Sequence, residues 1–240
     1  MGDGKISKQD QIMSKNQSNK PAISEIAIFP LPNVVFFPKT LLPLHIFEMR
    51  YRKMMDDVLS GSNQIGMVLL KDGWETNYFG NPEVHEIVCV GDIQYFEKLD
   101  DGKFNIMLYG ISKAKIVAFV QEQPYRIAQV KFLQDVRFDR DSFNEPFETE
   151  TLLRMVHEYL AELGVKKLDD VLNADTQSFE ALINQVAFLL DFSTQEKQRL
   201  LEMDSLAQRY EKVKELLKKR FTSLRVAKNI KFSPENPEWN

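Results

Sequence analysis

The 240-residue chain has a single cysteine, Cys89. That excludes an internal disulfide and any multi-cysteine metal site. Its setting in the run Ile87-Val88-Cys89-Val90 fits a buried, inert small hydrophobe better than a reactive thiol. No apolar run approaches the roughly 18 residues of a membrane span. The polar N-terminus has no apolar signal-peptide core, so a cytoplasmic location with no membrane contact is expected. The ten glycines include no G-x-x-x-x-G-K-[ST] arrangement, whose backbone amides would cradle phosphate. Neither charge sign dominates. A net charge of −4 gives no global pull toward nucleic acid or anionic lipid. With 43% apolar and 28% charged residues, the chain reads as a soluble globular protein of one large or two small domains.

Catalytic constellations are equally sparse. His157-Glu158 opens a metalloprotease-like helix pattern, but Ala161 stands where the second His is needed, so a solvated helix face is expected. His45 lies among apolar neighbours and reads as a packed, hydrogen-bonded residue. His85 has no identifiable partner. The acidic pairs Asp56-Asp57, Asp100-Asp101 and Asp169-Asp170 read as solvated charge. No nucleophile–base pair emerges, so no catalytic residue, cofactor or metal is expected, and the chain reads as a non-enzyme.

Along the chain, residues 1–22 are polar and read as a disordered tail. Residues 23–135 read as strands interrupted by one early helix. The run Ile65–Leu70 suits a buried strand. Lys71–Glu83 is rich in turn residues. Glu86–Leu99 is β-branched, with Gly91 as a bulge or close-approach point. Asp100-Asp101-Gly102 is a tight-turn signal. Alternating segments at Phe104–Phe119 and Tyr125–Leu133 complete a small closed or curled sheet. After a polar boundary, residues 140–228 read as a bundle of roughly four helices. The first carries Leu152, Val156, Tyr159, Leu160 and Leu163 and ends at Gly164. The second has Asp175 as a cap, and the third has a Ser193/Glu196 capping box. The last shows a seam through Leu206, Tyr210, Val213, Leu217, Phe221 and Leu224. Residues 229–240 read as a loose end. The whole is α+β.

The stretch Phe29–Leu59 carries most information. Pro30, Pro32, Pro38 and Pro43 exclude a regular central strand throughout. From Glu48, Tyr51, Met54, Met55, Val58 and Leu59 then fall at helical spacing, with Gly61 at the C-cap. FPLPNVVFFPKTLLPLHIFEMRYRKMM resembles the opening of the Lon protease N-terminal domain family. The resemblance continues through VGDIQYFEKLDDGKFNIMLYGISKAKI and VAFLLDFSTQEKQRLLEMDSLAQRYEKVKELL, covering about Ile23 to Leu224. One departure is clear: Lys113-Ala114 stands where the family has Arg-Phe. The resemblance implies a six-stranded pseudo-barrel related to PUA-like domains, followed by helices. Neither a Walker loop nor a Gly- and Ala-flanked serine turn is present, so the recognition domain alone is expected, without motor or Ser–Lys peptidase.

The expected function is a non-catalytic protein-recognition module, resembling the substrate-binding domain of Lon protease. It would bind polypeptide segments, or act as an adaptor or regulator in proteolysis or quality control. Its expected partner is a protein or unfolded polypeptide, with a protease or AAA+ subunit in trans as a further candidate. The candidate partner-binding surface is Val35, Phe36 and Phe37, because neighbours on an extended segment face opposite ways, together with Trp74, Tyr78 and Phe79. Arg50 or Arg52 is expected to fold back onto a carboxylate or loop carbonyls and lock helix to sheet. The alternative is a nucleic-acid-binding PUA-like protein using the basic last helix. Residues 205–240 hold 9 Lys/Arg against 4 Asp/Glu, whereas residues 141–204 hold 5 against 14. That contrast also fits a basic helix packed in an acidic bundle. Residues 25–135 hold 11 basic and 14 acidic residues, which argues against RNA on that part.

Overall fold

The computed structural model describes residues 23–78, 80–138, 143–165, 172 and 178–231; the expected 1–22 tail lies outside them. Six strands form one mixed sheet: β1 (Ile23–Leu31), β2 (Leu41–Ile46), β3 (Gln64–Leu69), β4 (Ile87–Lys98), β5 (Phe104–Gln121) and β6 (Arg126–Phe132). The order is β2-β5-β4-β3-β1-β6, and β6 pairs back onto β5 to close the sheet. Only β1 and β3 run parallel. The 18-residue β5 is the spine. Its first part pairs with β2, and its second part pairs with β6.

Around β1, β3 and the first part of β4 the sheet is buried on both faces, which explains the continuous apolar runs there. Ile26 and Ile28 join Val68, Val88, Val90, Ala128 and Val130 in one cluster. Ala27, Phe29, Ile65, Met67 and Cys89 face the larger one. Burial pushes the Cys89 thiol well up, out of the reactive range. The expected irregularity at Gly91 is present: the β4–β5 register shifts between Val90 and Gly91. A Cβ there would meet Phe36 and Leu108 side chains at 2.8 Å. At Gly110 a Cβ would lie 2.1 Å from the Phe37 carbonyl oxygen. Here the chain entering β2 crosses β5, with Lys39 N donating to Gly110 O at 2.7 Å and Gly110 N to Thr40 O at 2.9 Å.

Helix α1 (Met49–Leu59) buries Tyr51, Met54, Met55 and Val58, as its spacing predicts. Its C-terminus differs from expectation. Gly61 is not left-handed; Asn63 takes that conformation, with φ 58°. Asn tolerates it better than most residues, and Asn63 Nδ2 donates to Ile93 O at 2.8 Å, tying the turn to β4. Helices α2 (Glu145–Glu162), α3 (Phe179–Leu189), α4 (Thr194–Glu202) and α5 (Leu206–Lys231) form the helical part. Gly164 ends α2 with φ 81°, and both halves of the Ser193/Glu196 capping box are formed. Asp175 lies outside the described residues; the cap on α3 is Ser178, whose side chain accepts from Ala181 N. Helix α5 continues to Lys231, past the expected end at 228.

The two parts share one apolar cluster, within which the Phe36 and Phe188 rings lie 6.3 Å apart. They also share a buried ionic lock. Asp135, just after β6, accepts from Arg209 Nη1 at 2.6 Å and Nη2 at 2.9 Å. Lys113 Nζ of β5 is 2.6 Å from the same carboxylate. Arg209 is fully buried and also donates to Leu200 O, Met203 O and Asn184 Oδ1. Asn184 passes the connection on to Pro38 O at 3.1 Å. Lys113, where the family pattern has Arg, therefore still supplies a cation.

Burial alone pushes the Asp135 carboxyl up. The hydrogen bonds and charge of Arg209, then of Lys113, outweigh this and hold it below the ordinary carboxylate range. A folded-state value below the unfolded value of about 3.9 contributes stability that is fully present above that unfolded value and is lost as pH falls below it through the folded-state value. Urea midpoints measured from pH 6 to pH 3 are expected to fall more steeply for the natural protein than for Asp135→Asn.

Candidate functional surface

The structure overturns half of the expected surface. Val35, Phe36 and Phe37 are 3%, 1% and 0% exposed. The opposite-facing rule requires a strand, and residues 32–40 form none. The segment bends between the sheet and α3, so all three side chains enter the core. Trp74 and Tyr78 are half-buried in and beside a 3-10 turn, their rings 5.5 Å apart and near perpendicular. Phe79 lies outside the described residues.

Glu48, which opens α1, organises this aromatic loop. Its carboxylate accepts from Arg50 Nε at 3.0 Å and from the Tyr78 hydroxyl at 2.9 Å. The Arg50 guanidinium lies over the Tyr51 ring at 4.6 Å and near the Tyr78 ring at 5.6 Å. Burial, set against the Arg50 charge, pushes the Tyr51 hydroxyl up to about 12. Arg50 thus folds back onto a carboxylate as expected, but it locks the helix entrance to the Trp74–Tyr78 loop rather than to the sheet. Trp74 also borders a cleft with Pro32, Leu70, His85, Gln198 and Arg199.

A larger exposed surface lies on the outer face of β2, β5 and β4. Directly opposed residues of antiparallel strands share a face. Leu41 opposes Tyr109, and Pro43 opposes Met107, which opposes Tyr95 in turn. His45 opposes Asn105, which opposes Glu97. Leu41 is 54% exposed and Tyr95 61%. Past the end of β2, Phe47 and Met49, the latter already in α1, are 59% and 73% exposed. The His45 and Phe47 rings are nearly parallel, with centroids 6.3 Å apart. A hydrogen-bonded row crosses the face: His45 Nδ1 lies 2.8 Å from Asn105 Oδ1, and Asn105 Nδ2 donates to Glu97 Oε2 at 3.1 Å. Oδ1 only accepts, so His45 Nδ1 carries a proton. Pro43, Leu44, His45, Tyr95, Asn105, Ile106 and Met107 line a shallow depression there. A contiguous outward apolar patch of this kind, rimmed by polar groups, is the usual form of a protein-contact surface. As the edge strand, β2 carries a proline at its middle, which blunts strand addition.

The basic last helix spends much of its charge internally. Arg220 pairs with Glu196 at 2.6 Å, Lys228 with Glu162 at 2.6 Å and Lys214 with Glu211 at 2.7 Å. His85 lies 3.2 Å from Glu202. Among the described residues, no group of three or more His, Cys, Asp or Glu could hold a metal ion, and no helix is long and apolar enough to cross a membrane.

Comparisons with known proteins bear on what this surface serves. The Lon protease of Desulfosudis oleivorans is 26% identical over 211 residues, which cover 85% of this chain and 25% of that protein. The Lon protease of Trichlorobacter lovleyi is 27% identical over 237 residues, covering 94% and 28%. The chain thus spans about a quarter of the length of these relatives. Among solved structures, the N-terminal domain of Mycobacterium avium complex Lon protease matches with a TM-score of 0.61 at 12% identity, covering 83% of this chain and 98% of that one. A Lon N-terminal domain protein from Xanthomonas campestris matches with a TM-score of 0.55 at 20% identity, covering 81% and 98%. At these identities both establish the α+β fold. The family model of the ATP-dependent protease La (LON) substrate-binding domain matches residues 25–219, and the chain belongs to that family.

Proposed function

We propose that this chain is a non-catalytic protein-recognition module, which binds apolar stretches of unfolded polypeptide on the outer face of β2, β5 and β4. The carrying observation is the cross-strand patch of Leu41, Pro43, Tyr95 and Met107, with exposed Phe47 beside His45 at its end. A small, closed sheet already buried on both sides around β1 and β3 has no structural need for it. Family membership supplies the class of ligand, since the family is one of substrate-binding domains. A protease or AAA+ subunit acting in trans, or as part of a longer protein, is the partner to which bound polypeptide would pass. Internal pairing of the α5 cations leaves the nucleic-acid alternative without comparable support.

The test uses a permanently unfolded, fluorescently labelled polypeptide of near-zero net charge. Binding is expected by anisotropy, without hydrolysis of the probe or of ATP. The double variant Tyr95→Ser/Met107→Ser is expected to weaken binding roughly tenfold or more, since anchors at the centre of a contact carry most of its energy. Its urea midpoint should stay near that of the natural protein. Undiminished binding by that variant, or turnover of either substrate, would count against the proposal.

A further inference from the structure

We infer that this face selects apolar segments that carry a basic residue and disfavours those that carry an acidic one. The inference rests on the recognition role just proposed and adds a charge preference to it. It comes from which ionisable groups share the face with the apolar anchors. On β4, Asp92 opposes Tyr109 and Glu97 opposes Asn105, so both carboxylates flank the Tyr95–Met107–Pro43 row. Asp92 accepts from Gln64 Nε2 at 3.0 Å, and Glu97 accepts from Asn105 Nδ2 at 3.1 Å. Both partners are neutral amides, and among the described residues neither carboxylate is in an ion pair. No lysine or arginine occurs within Leu41–Ile46, Asp92–Glu97 or Asn105–Tyr109.

Of the cations at the adjoining ends, Lys98 and Lys103 are paired with other acids, and Arg52 shares the acid of Lys103. Lys98 is 2.8 Å from Asp56, and Lys103 is 2.6 Å from Asp101. Arg52, whose Nη1 is 3.2 Å from Met49 Sδ, lies in the field of Asp101. The face is therefore apolar along its middle and negative along its β4 side. A second copy of this chain docking the same face would bring two more such carboxylates and no lysine or arginine from it. An unfolded segment that alternates a large apolar side chain with a basic one meets both requirements. Its apolar residue sits in the depression by Tyr95 and Met107, and its cation reaches Glu97 or Asp92. Complementary charge adds specificity and association rate more than affinity. Each exposed pair is modest, so the expected preference is about tenfold between opposite charges rather than absolute.

The experiment uses three fluorescent peptides of equal length, with Phe at every second position and Lys, Gln or Glu between. Dissociation constants are measured by anisotropy against the natural protein, Asp92→Asn/Glu97→Gln and Tyr95→Ser/Met107→Ser. Binding is expected to weaken in the order Lys, Gln, Glu, with roughly tenfold between the first and last. In Asp92→Asn/Glu97→Gln that ratio is expected to fall to about twofold. In Tyr95→Ser/Met107→Ser all three peptides should weaken together. Equal binding of the Lys and Glu peptides, or a ratio that survives removal of the two carboxylates, overturns the charge inference and leaves the recognition role standing. Binding that ignores the Tyr95/Met107 substitutions overturns the placement of the site. Failure of all three peptides and of the unfolded polypeptide overturns the recognition role itself.

Discussion

Replacing Asp135 with Ala is expected to destabilise the fold by roughly 3–5 kcal/mol, the usual cost of breaking a buried ion pair from one side. The carboxylate is the shared anion for Lys113 and Arg209, whose side chains are 2% and 0% exposed. Without it, two buried cations keep only carbonyl and amide oxygens and the largely exposed Asp204, 3.7 Å from Lys113 Nζ. Domain stabilities of about 5–15 kcal/mol make this a large fraction of the whole. Removing Arg209 instead leaves Lys113 and Asp135 still paired, so Arg209→Met is expected to cost less than Asp135→Ala, though it releases the bonds to Leu200, Met203 and Asn184. A surface control is available in Lys98→Ala, which breaks the Asp56 pair and should cost under about 1 kcal/mol. Urea denaturation of the three variants checks the ranking. Asp135→Ala with no more effect than Lys98→Ala would show that the lock carries no net stability.

The second large effect concerns Phe36. Its ring is buried against Gly91 of β4 and against α3, so Phe36→Ala is expected to cost about 3–5 kcal/mol by loss of transfer energy and creation of a cavity. Binding of unfolded polypeptide, measured where the variant is still folded, should be unchanged. The two readouts separate the two placements of this residue. A surface aromatic would lose binding and leave stability intact; a core aromatic does the reverse.

The regular elements were legible because their periods are local. The spacing of Tyr51, Met54, Met55 and Val58, the Ser193/Glu196 box and Gly164 each mark a helix within a few residues of chain. Phe36 was not legible, because its direction depends on a non-strand bend whose shape is fixed by Gly110 and Gly91, far along the sequence. The outer face of β2 was hidden for another reason. In Leu41-Leu42-Pro43-Leu44-His45-Ile46 both faces are mostly apolar, so period-two alternation leaves no contrast between core and exterior. The ionic lock joins residues 74 positions apart. Its members look like ordinary charges until β5, the end of β6 and α5 come together. Arg209 lies inside the family-like segment and Lys113 is the family departure, but neither position signals burial.

The lock also sets a timetable for synthesis. The sheet cannot close until β6 exists to pair with both β1 and β5, which requires the chain as far as Phe132. Asp135 follows at once, yet its main cation, Arg209, is made 77 positions after Phe132, or roughly 4–15 s later at translation rates of about 5–20 residues per second. During that interval Lys113 alone faces Asp135, and the apolar underside of the sheet awaits α3 and α5. A nascent chain halted in this window therefore holds a closed sheet with an open flank. It is then itself the kind of incompletely folded polypeptide that its finished form is proposed to recognise.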